Sequence, residues 1–165
     1  MSTMTAQQKQ KKTMKVEMVG ERELRIERVF DAPRERVWRA YSEPQLVAQW
    51  WGRGNELDMQ KFEFERGGHW RFEEHGDEGV HGFEGRFGDI EPQQRIRQTF
   101  EWDGMPTHVS VDTAEFVDLG DGRTLVKSHT LFLTAEDRDG MVSAGMESGL
   151  AQSYEALDRL LATGF

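Results

Sequence analysis

The sequence predicts an α+β fold in which a curved antiparallel β-sheet wraps around a long C-terminal helix, with two short helices between the first two strands. Three observations predict this class. Apolar and polar residues alternate from Leu57 to Leu133, with turn residues at regular spacing, as in an antiparallel meander. From Met141 to Ala162 the apolar period changes to 3.6 residues, which is typical of a helix that buries one face. The 165 residues suit a single domain, which we expect to span residues 16–165.

One strand and two short helices are predicted before the meander. Residues 16–30 form the strand, because their apolar residues alternate with polar ones. Asp31-Ala32-Pro33 then starts a helix, since proline suits the first helical turn. Residues 42–45 resemble a capping box and start a second helix that reaches Trp50 and Trp51. Consecutive helical residues point about 100° apart, so we expect one of these rings in the core and the other at a cavity mouth or a loop.

Six strands are predicted in the meander, and short turns that contain glycine separate most of them. The clearest turns are Gly67-Gly68, Gly76-Asp77, Asp103-Gly104 and Gly120-Asp121-Gly122. A capping-box signal at residues 134–137 precedes the terminal helix. Because the sheet offers the only large apolar surface, the helix is expected to lie across it.

Aromatic residues fall in same-face pairs along the predicted strands, opposite the apolar stripe of the terminal helix. A plain core would use more leucine, isoleucine and valine, whereas aromatic and methionine side chains suit flat or variable ligands. We therefore predict a ligand cavity with an aromatic lining; the alternative is that the rings simply fill the interior. The predicted ligand-binding residues are Trp51, Phe62, Phe64, Trp70, Phe72, Phe83, Phe87, Phe100, Trp102, Met141, Met146 and Leu150.

Charge and composition exclude several classes of protein. The chain has 21 basic and 30 acidic residues, and four of the lysines lie in residues 1–15, which we expect to be a disordered basic tail. Since the remainder is strongly acidic, nucleic-acid binding is not expected. The absence of cysteine fits a reducing compartment, and neither a membrane span nor a signal peptide is visible. A cytoplasmic protein without membrane insertion is the prediction; the oligomeric state stays open.

No catalytic set, cofactor or metal site is predicted. His108, Ser110 and Asp112 suggest a triad, but alternate residues of a strand lie about 6.6 Å apart, too far for the required hydrogen bonds. Histidines and acids near one hairpin suggest a metal site, yet their spacing matches no established ligand pattern. The residues concerned are His69, His75, His81, Glu73, Glu74, Asp77 and Glu78. Five further polar residues alternate with the aromatic ones, and the sequence leaves open which of them face the interior. They are His108, His129, Arg97, Glu84 and Glu101.

Several segments resemble a known family. They are Val29-Phe30-Asp31-Ala32-Pro33, Trp50-Trp51-Gly52, Gly67-Gly68-His69-Trp70-Arg71-Phe72, Phe100-Glu101-Trp102 and Gly145-Met146-Glu147-Ser148-Gly149-Leu150. Over about residues 20–162 the chain is similar to the START-like (SRPBCC) superfamily and, more narrowly, to the domain homologous to the C-terminal part of the activator of heat-shock protein 90 ATPase. The resemblance implies a helix-grip fold with a cavity between sheet and terminal helix, which in relatives holds apolar or aromatic molecules.

The leading expectation is a cytoplasmic cavity protein that binds a hydrophobic or aromatic small molecule, such as a lipid or polyketide, without catalysis. A cyclase- or hydrolase-like enzyme that uses a cavity histidine or carboxylate is one alternative. The other is a chaperone-interaction module related to the heat-shock protein 90 ATPase activator. An enzyme requires an ionisable group that faces inward with a perturbed pKa.

Overall fold

The computed structural model describes residues 14–165, which form one antiparallel sheet of eight strands and four helices. The strands are β1 (Lys15–Val19), β2 (Glu23–Phe30), β3 (Glu56–Phe62), β4 (His69–Gly76), β5 (Gly79–Glu91), β6 (Arg95–Trp102), β7 (Ser110–Asp118) and β8 (Thr124–Leu131). The helices are α1 (Arg34–Ser42), α2 (Pro44–Val47), α3 (Ala135–Ser143) and α4 (Met146–Leu161). The predicted class, an α+β fold with a curved antiparallel sheet around a C-terminal helix, is confirmed.

The order of the strands across the sheet is β1-β2-β8-β7-β6-β5-β4-β3, and every neighbouring pair is antiparallel. Two register shifts help to bend it, one in β3 between Met59 and Lys61 and one in β5 between Phe87 and Ile90. A side chain at Gly85 of β5 would place its Cβ 2.0 Å from the carbonyl oxygen of Thr99, so the curve needs glycine there.

The N-terminal part differs from the prediction in one respect. The expected long strand is a hairpin of β1 and β2, because residues 20–22 turn the chain, so the short helices lie between the second and third strands. Lys15, which the prediction placed in the tail, begins β1. The rest of the predicted tail, residues 1–13, lies outside the described residues.

Helices α1 and α2 close one end of the curved sheet. The rings of Trp38 and Tyr41 meet Phe116 of β7 edge-on, at centroid distances of 5.3 and 5.0 Å. Trp50, 4% exposed, donates its indole N–H to the carbonyl oxygen of Ala40 at 2.8 Å. Both helices that the helix-start signals predicted are present, and their aromatic side chains pack densely at this end of the sheet.

The long helix expected from Met141 to Ala162 is broken in two, which corrects the prediction. Gly145, between α3 and α4, has a φ of 91°, a left-handed conformation that a side chain would strain. Helix α4 buries an apolar stripe that includes Tyr154 and Leu157 against the sheet, whereas the buried residues of α3 are Asp137 and Arg138. Only residues 141–143 of the predicted helix thus belong to a separate, polar segment, and the amphipathic helix itself begins at Met146.

None of the helices in the described part of the chain is both long and apolar enough to cross a membrane.

Candidate functional site

The predicted aromatic lining forms one continuous cluster on the concave side of the sheet. Trp51, just after α2, meets the rings of Trp70, Phe72 and Phe83 at centroid distances of 6.0, 5.0 and 5.2 Å. Phe83 contacts Phe100 at 5.5 Å in turn. The two adjacent tryptophans therefore diverge, with Trp50 in the core as expected. Trp51 packs against the rings of the sheet and not at a cavity mouth or a loop, and both residues follow α2, which ends at Val47.

The cluster continues toward the edge strands through Phe62, Phe64 and Phe87. Phe87 is buried and meets the other two rings edge-on, at 5.6 and 5.1 Å. Phe62 and Phe64 stack on each other at 5.7 Å. Because each ring contacts further rings, most of the space that the sequence suggested for a ligand is occupied by the side chains themselves.

A small cavity remains at the opposite end of the concave face, under α3. Its volume is about 20 Å³, roughly the room that one water molecule needs. The residues that line it are Phe100, Trp102, Met105, His108, Ser110, Phe132, Asp137 and Met141. Three predicted ligand-binding residues, Phe100, Trp102 and Met141, thus meet at one space between the sheet and the helices.

A second space, of about 640 Å³, is an open groove on the outside of the α1 end. Its lining residues are Trp38, Ser42, Phe64, Glu65, Arg66, Asp89, Ile90 and Pro92. Of the predicted ligand-binding residues only Phe64 takes part in it. A ligand in so open a groove would keep much of its surface in water, unlike ligands in typical binding pockets.

The other eight predicted ligand-binding residues line neither space. They are Trp51, Phe62, Trp70, Phe72, Phe83, Phe87, Met146 and Leu150. Met146 and Leu150, in the first turns of α4, are half-buried and pack against the core.

Asp112 is a polar residue of the concave face that was not predicted to lie there. On β7 it shares a face with Ser110, which lines the small cavity, and with the buried Phe116. Its cross-strand neighbours are Gln98 on β6 and Thr130 on β8. Burial raises the pKa of the Asp112 carboxyl to about 6, although a hydrogen bond with Thr130 acts in the opposite direction. The alternation of Asp112 with Phe116 was the signal available in the sequence.

The excluded triad is also absent from the described structure. Nδ1 of His108 lies 2.7 Å from a carboxylate oxygen of Asp137 on α3, and His108 is not paired with Asp112. This pair joins the loop after β6 to α3 at the rim of the small cavity.

The other polar residues whose direction stayed open have partners away from the cavity. His129 pairs with Glu23 at 2.6 Å and His69 with Glu84 at 3.2 Å. Glu101 accepts a hydrogen bond from the backbone of the loop at residue 107. Arg97 donates to Thr113 at 3.2 Å.

Most of the histidines and acids that suggested a metal site near the β4–β5 hairpin lie apart from one another in the structure. Of that set, only Glu73 and His75 lie close together. With Asp58 of β3, which the sequence analysis did not include, they place three potential metal-ligand atoms within 4.8 Å of one another. Glu74 instead is buried and ion-paired with Arg53. The surviving cluster lies at the β3 edge of the sheet, away from the concave face, and two of its carboxylates are direct cross-strand neighbours.

The loop between α2 and β3 is tied to both the sheet and α4. Nε and one terminal nitrogen of Arg53 each lie 3.0 Å from an oxygen of Glu74, and Asn55 donates to the same carboxylate at 3.2 Å. The backbone N–H of Arg53 donates to Ser153 of α4 at 2.8 Å. Gly149 of α4 lies against the aliphatic part of the Arg53 side chain. Arg53 therefore positions α4 over the concave face.

The raised pKa of Asp112 predicts how stability depends on pH. The folded carboxyl binds its proton more tightly than the unfolded one, so its contribution to stability is complete below about pH 4 and is lost as the pH rises through 6. Asp112→Asn should therefore raise the free energy of unfolding at pH 8 by about 1–2 kcal/mol, since the carboxyl keeps some solvent contact, and leave it unchanged at pH 4. Urea titrations at both pH values measure this.

Glu115→Gln is the matched control, because Glu115 is exposed on the opposite face of the same strand. It removes the same charge and should shift stability by less than about 0.5 kcal/mol at either pH. Equal effects of the two variants would show that Asp112 is not desolvated.

Comparison with known proteins gives a consistent assignment. A profile of the family described as activator of Hsp90 ATPase homolog 1-like protein matches residues 31–162. No curated protein matches the chain significantly in sequence.

Solved structures of bacterial proteins share the fold. A protein from Rhodobacter sphaeroides is 26% identical, with a TM-score of 0.83, over 93% of this chain and 100% of that one. A protein from Chromobacterium violaceum is also 26% identical, with a TM-score of 0.71, over 84% and 96% of the two chains. One from Arthrobacter aurescens is 23% identical and covers 90% and 91%, with a TM-score of 0.81, which is a likeness of fold alone.

Proposed function

The chain belongs to the activator of Hsp90 ATPase homolog 1-like family, and from this premise we propose that it binds a hydrophobic or aromatic small molecule. The family supports a fold with a ligand-binding cavity. The proposed site is the concave face of the sheet beneath α3 and the first turns of α4, where Phe100, Trp102 and Met141 surround the small cavity.

The observation that carries the proposal is that a mainly apolar cavity lies under α3, a helix that makes few apolar contacts with the rest of the protein. Asp137 and Arg138 are the buried residues of α3 and hold it by polar contacts, among them a hydrogen bond from Arg138 to the carbonyl oxygen of Gly20 at 3.0 Å. Gly145, in a left-handed conformation, separates α3 from the firmly packed part of α4. A polar attachment costs less to exchange for water than an apolar one, because water replaces its hydrogen bonds.

Ligand binding in this account enlarges the cavity. A space of about 20 Å³ is far below the roughly 300 Å³ or more of ordinary small-molecule pockets. The ligand must therefore displace α3 and the half-buried rings, and the cost of that opening lowers the apparent affinity. Met141, Met146 and Leu150 are proposed to contact the ligand from the helix side, since all three are only half-buried in the closed form.

A variant that removes one of the aromatic side chains occupying the proposed site tests the proposal. The probe is 2-naphthylmethanol, a flat neutral molecule, titrated by calorimetry. Phe100→Ala empties part of the site in advance, so it should tighten probe binding, on the order of tenfold, while it destabilises the fold. Phe64→Ala is the matched control, because it shortens a half-buried phenylalanine at the outer groove.

Unchanged probe affinity in Phe100→Ala together with a loss in Phe64→Ala would move the site to the outer groove. No binding by either variant or by the unmodified protein would contradict the proposal as a whole.

An enzyme is the second candidate, and Asp112 is the observation that favours it. It is a carboxyl group near the cavity whose pKa burial raises to about 6, which suits general acid–base chemistry near neutral pH. Mass analysis of the probe or a natural ligand before and after incubation separates the two: a binding protein returns the ligand unchanged, and an enzyme does not.

A further inference from the structure

Building on the proposed function, we infer that the ligand is a flat apolar molecule that carries a positive charge, such as an aromatic ammonium compound, and that Asp112 is the counter-ion for this charge. The inference concerns the chemical class of the ligand and can fail while the proposed site stands.

Asp112 lies where a ligand that extends the small cavity would reach. Ser110 lines that cavity, and Asp112 is the next residue of β7 on the same face. Successive residues on one face of a strand are about 6.6 Å apart, which is the length of a small aromatic ring with one substituent. A ring between Phe100 and Met141 would therefore hold a substituent near the carboxylate.

Asp112 also differs from the shielded carboxylates of Glu74 and Asp158 in having no cationic partner. Glu74 is paired with the guanidinium of Arg53 and Asp158 with that of Arg28, while Asp137 lies within hydrogen-bond distance of a ring nitrogen of His108. In the described part of the chain Asp112 takes part in no ion pair, and its side-chain hydrogen bond is with the neutral Thr130. A desolvated carboxylate without a counter-ion is costly, and a cation supplied by a ligand would remove that cost.

None of the described titratable groups around Asp112 supplies a positive charge in contact with its carboxylate. His129 on β8 lowers the pKa of Asp112 at a distance, but its own contact is with Glu23. From α4, Tyr154 faces the same region, and burial raises the pKa of its neutral hydroxyl. From β6, Gln98 is the cross-strand neighbour and carries no charge.

Two more side-chain pairs complete these surroundings. Arg28 on β2 is held by Asp158, with one pair of atoms at 3.0 Å. On the α3 side, His108 and Asp137 satisfy each other. The half-buried ring of Phe100 lies on the neighbouring strand β6, opposite Ser110, and aromatic faces attract cations while they accept apolar surface. The surroundings therefore favour a cation over a neutral molecule and disfavour an anion.

A pair of probes of equal shape tests the inference. We compare 2-naphthylmethylammonium with 2-naphthylmethanol by calorimetric titration. At pH 7.5 the ammonium probe should bind about tenfold more tightly. The preference should shrink as the pH falls to 5, because Asp112, with a pKa of about 6, becomes protonated and neutral.

Asp112→Asn should abolish the preference and its pH dependence, while 2-naphthylmethanol still binds. Glu115→Gln, on the outer face of the same strand, should keep both and thereby exclude a general effect of the acidic chain. Equal binding of the two probes to the unmodified protein, or a preference that persists in Asp112→Asn, overturns the inference but leaves the proposed function. If neither probe binds, both fail.

Discussion

Trp70→Ala is expected to lower the free energy of unfolding by about 3–5 kcal/mol, the largest effect of any single substitution considered for this protein. The Trp70 side chain is 0% exposed, and its ring contacts Trp51, Phe72 and Phe100 at centroid distances of 6.0, 5.0 and 6.2 Å. Removal of the indole leaves a cavity at the centre of the aromatic cluster. Urea unfolding monitored by circular dichroism measures the loss.

Trp70→Phe is the matched control. In the described structure the indole N–H of Trp70 is buried without a hydrogen-bond partner. Phenylalanine removes that unsatisfied group and keeps one aromatic ring, so the loss should be smaller, about 1–2 kcal/mol. A loss below about 1 kcal/mol for Trp70→Ala would contradict a tightly packed cluster.

Arg53→Met is expected to cost about 3 kcal/mol, because it leaves the carboxylate of Glu74 buried without a cation. The side chain of Glu74 is 4% exposed, and Arg53 is its ion-pair partner. Methionine keeps the apolar contact with α4 near Gly149 but not the charge. Chemical denaturation at neutral pH gives the change in unfolding free energy.

Two further variants separate charge burial from general damage. Adding Glu74→Gln to Arg53→Met should recover a large part of the loss, since the unpaired charge is then absent. Arg95→Met breaks an exposed pair with Asp89 and should cost less than about 1 kcal/mol. A double variant no more stable than Arg53→Met would show that the ion pair is not the cause.

Alternation of aromatic residues was sufficient to predict the sheet and its concave face. Phe72, Phe87 and Phe116 are all buried on that side, as period two requires. The break of the terminal helix was harder to see, because glycine at 145 lowers helix propensity without specifying a left-handed residue. The first hairpin was missed because residues 20–22 carry only one glycine in an otherwise alternating segment.

The site was predicted less completely than the fold, for physical reasons. Period two can assign Phe100 and Trp102 to one face, but it cannot measure whether neighbouring rings leave a gap or fill it. Asp112 was considered only as a member of the rejected triad, and charged residues in antiparallel sheets usually point outward. Its face follows from its even spacing to the buried Phe116, but its burial depends on what covers that face, which the local pattern does not contain.

The most direct test of the account is to locate the bound probe by NMR. With 13C-methyl-labelled methionine, intermolecular nuclear Overhauser effects report which side chains contact 2-naphthylmethanol. We expect contacts from the probe to the methyl groups of Met141 and Met146 and none to Met18, which is exposed on β1. Saturating probe without contacts to Met141 and Met146 would contradict a ligand site between the sheet and its terminal helices.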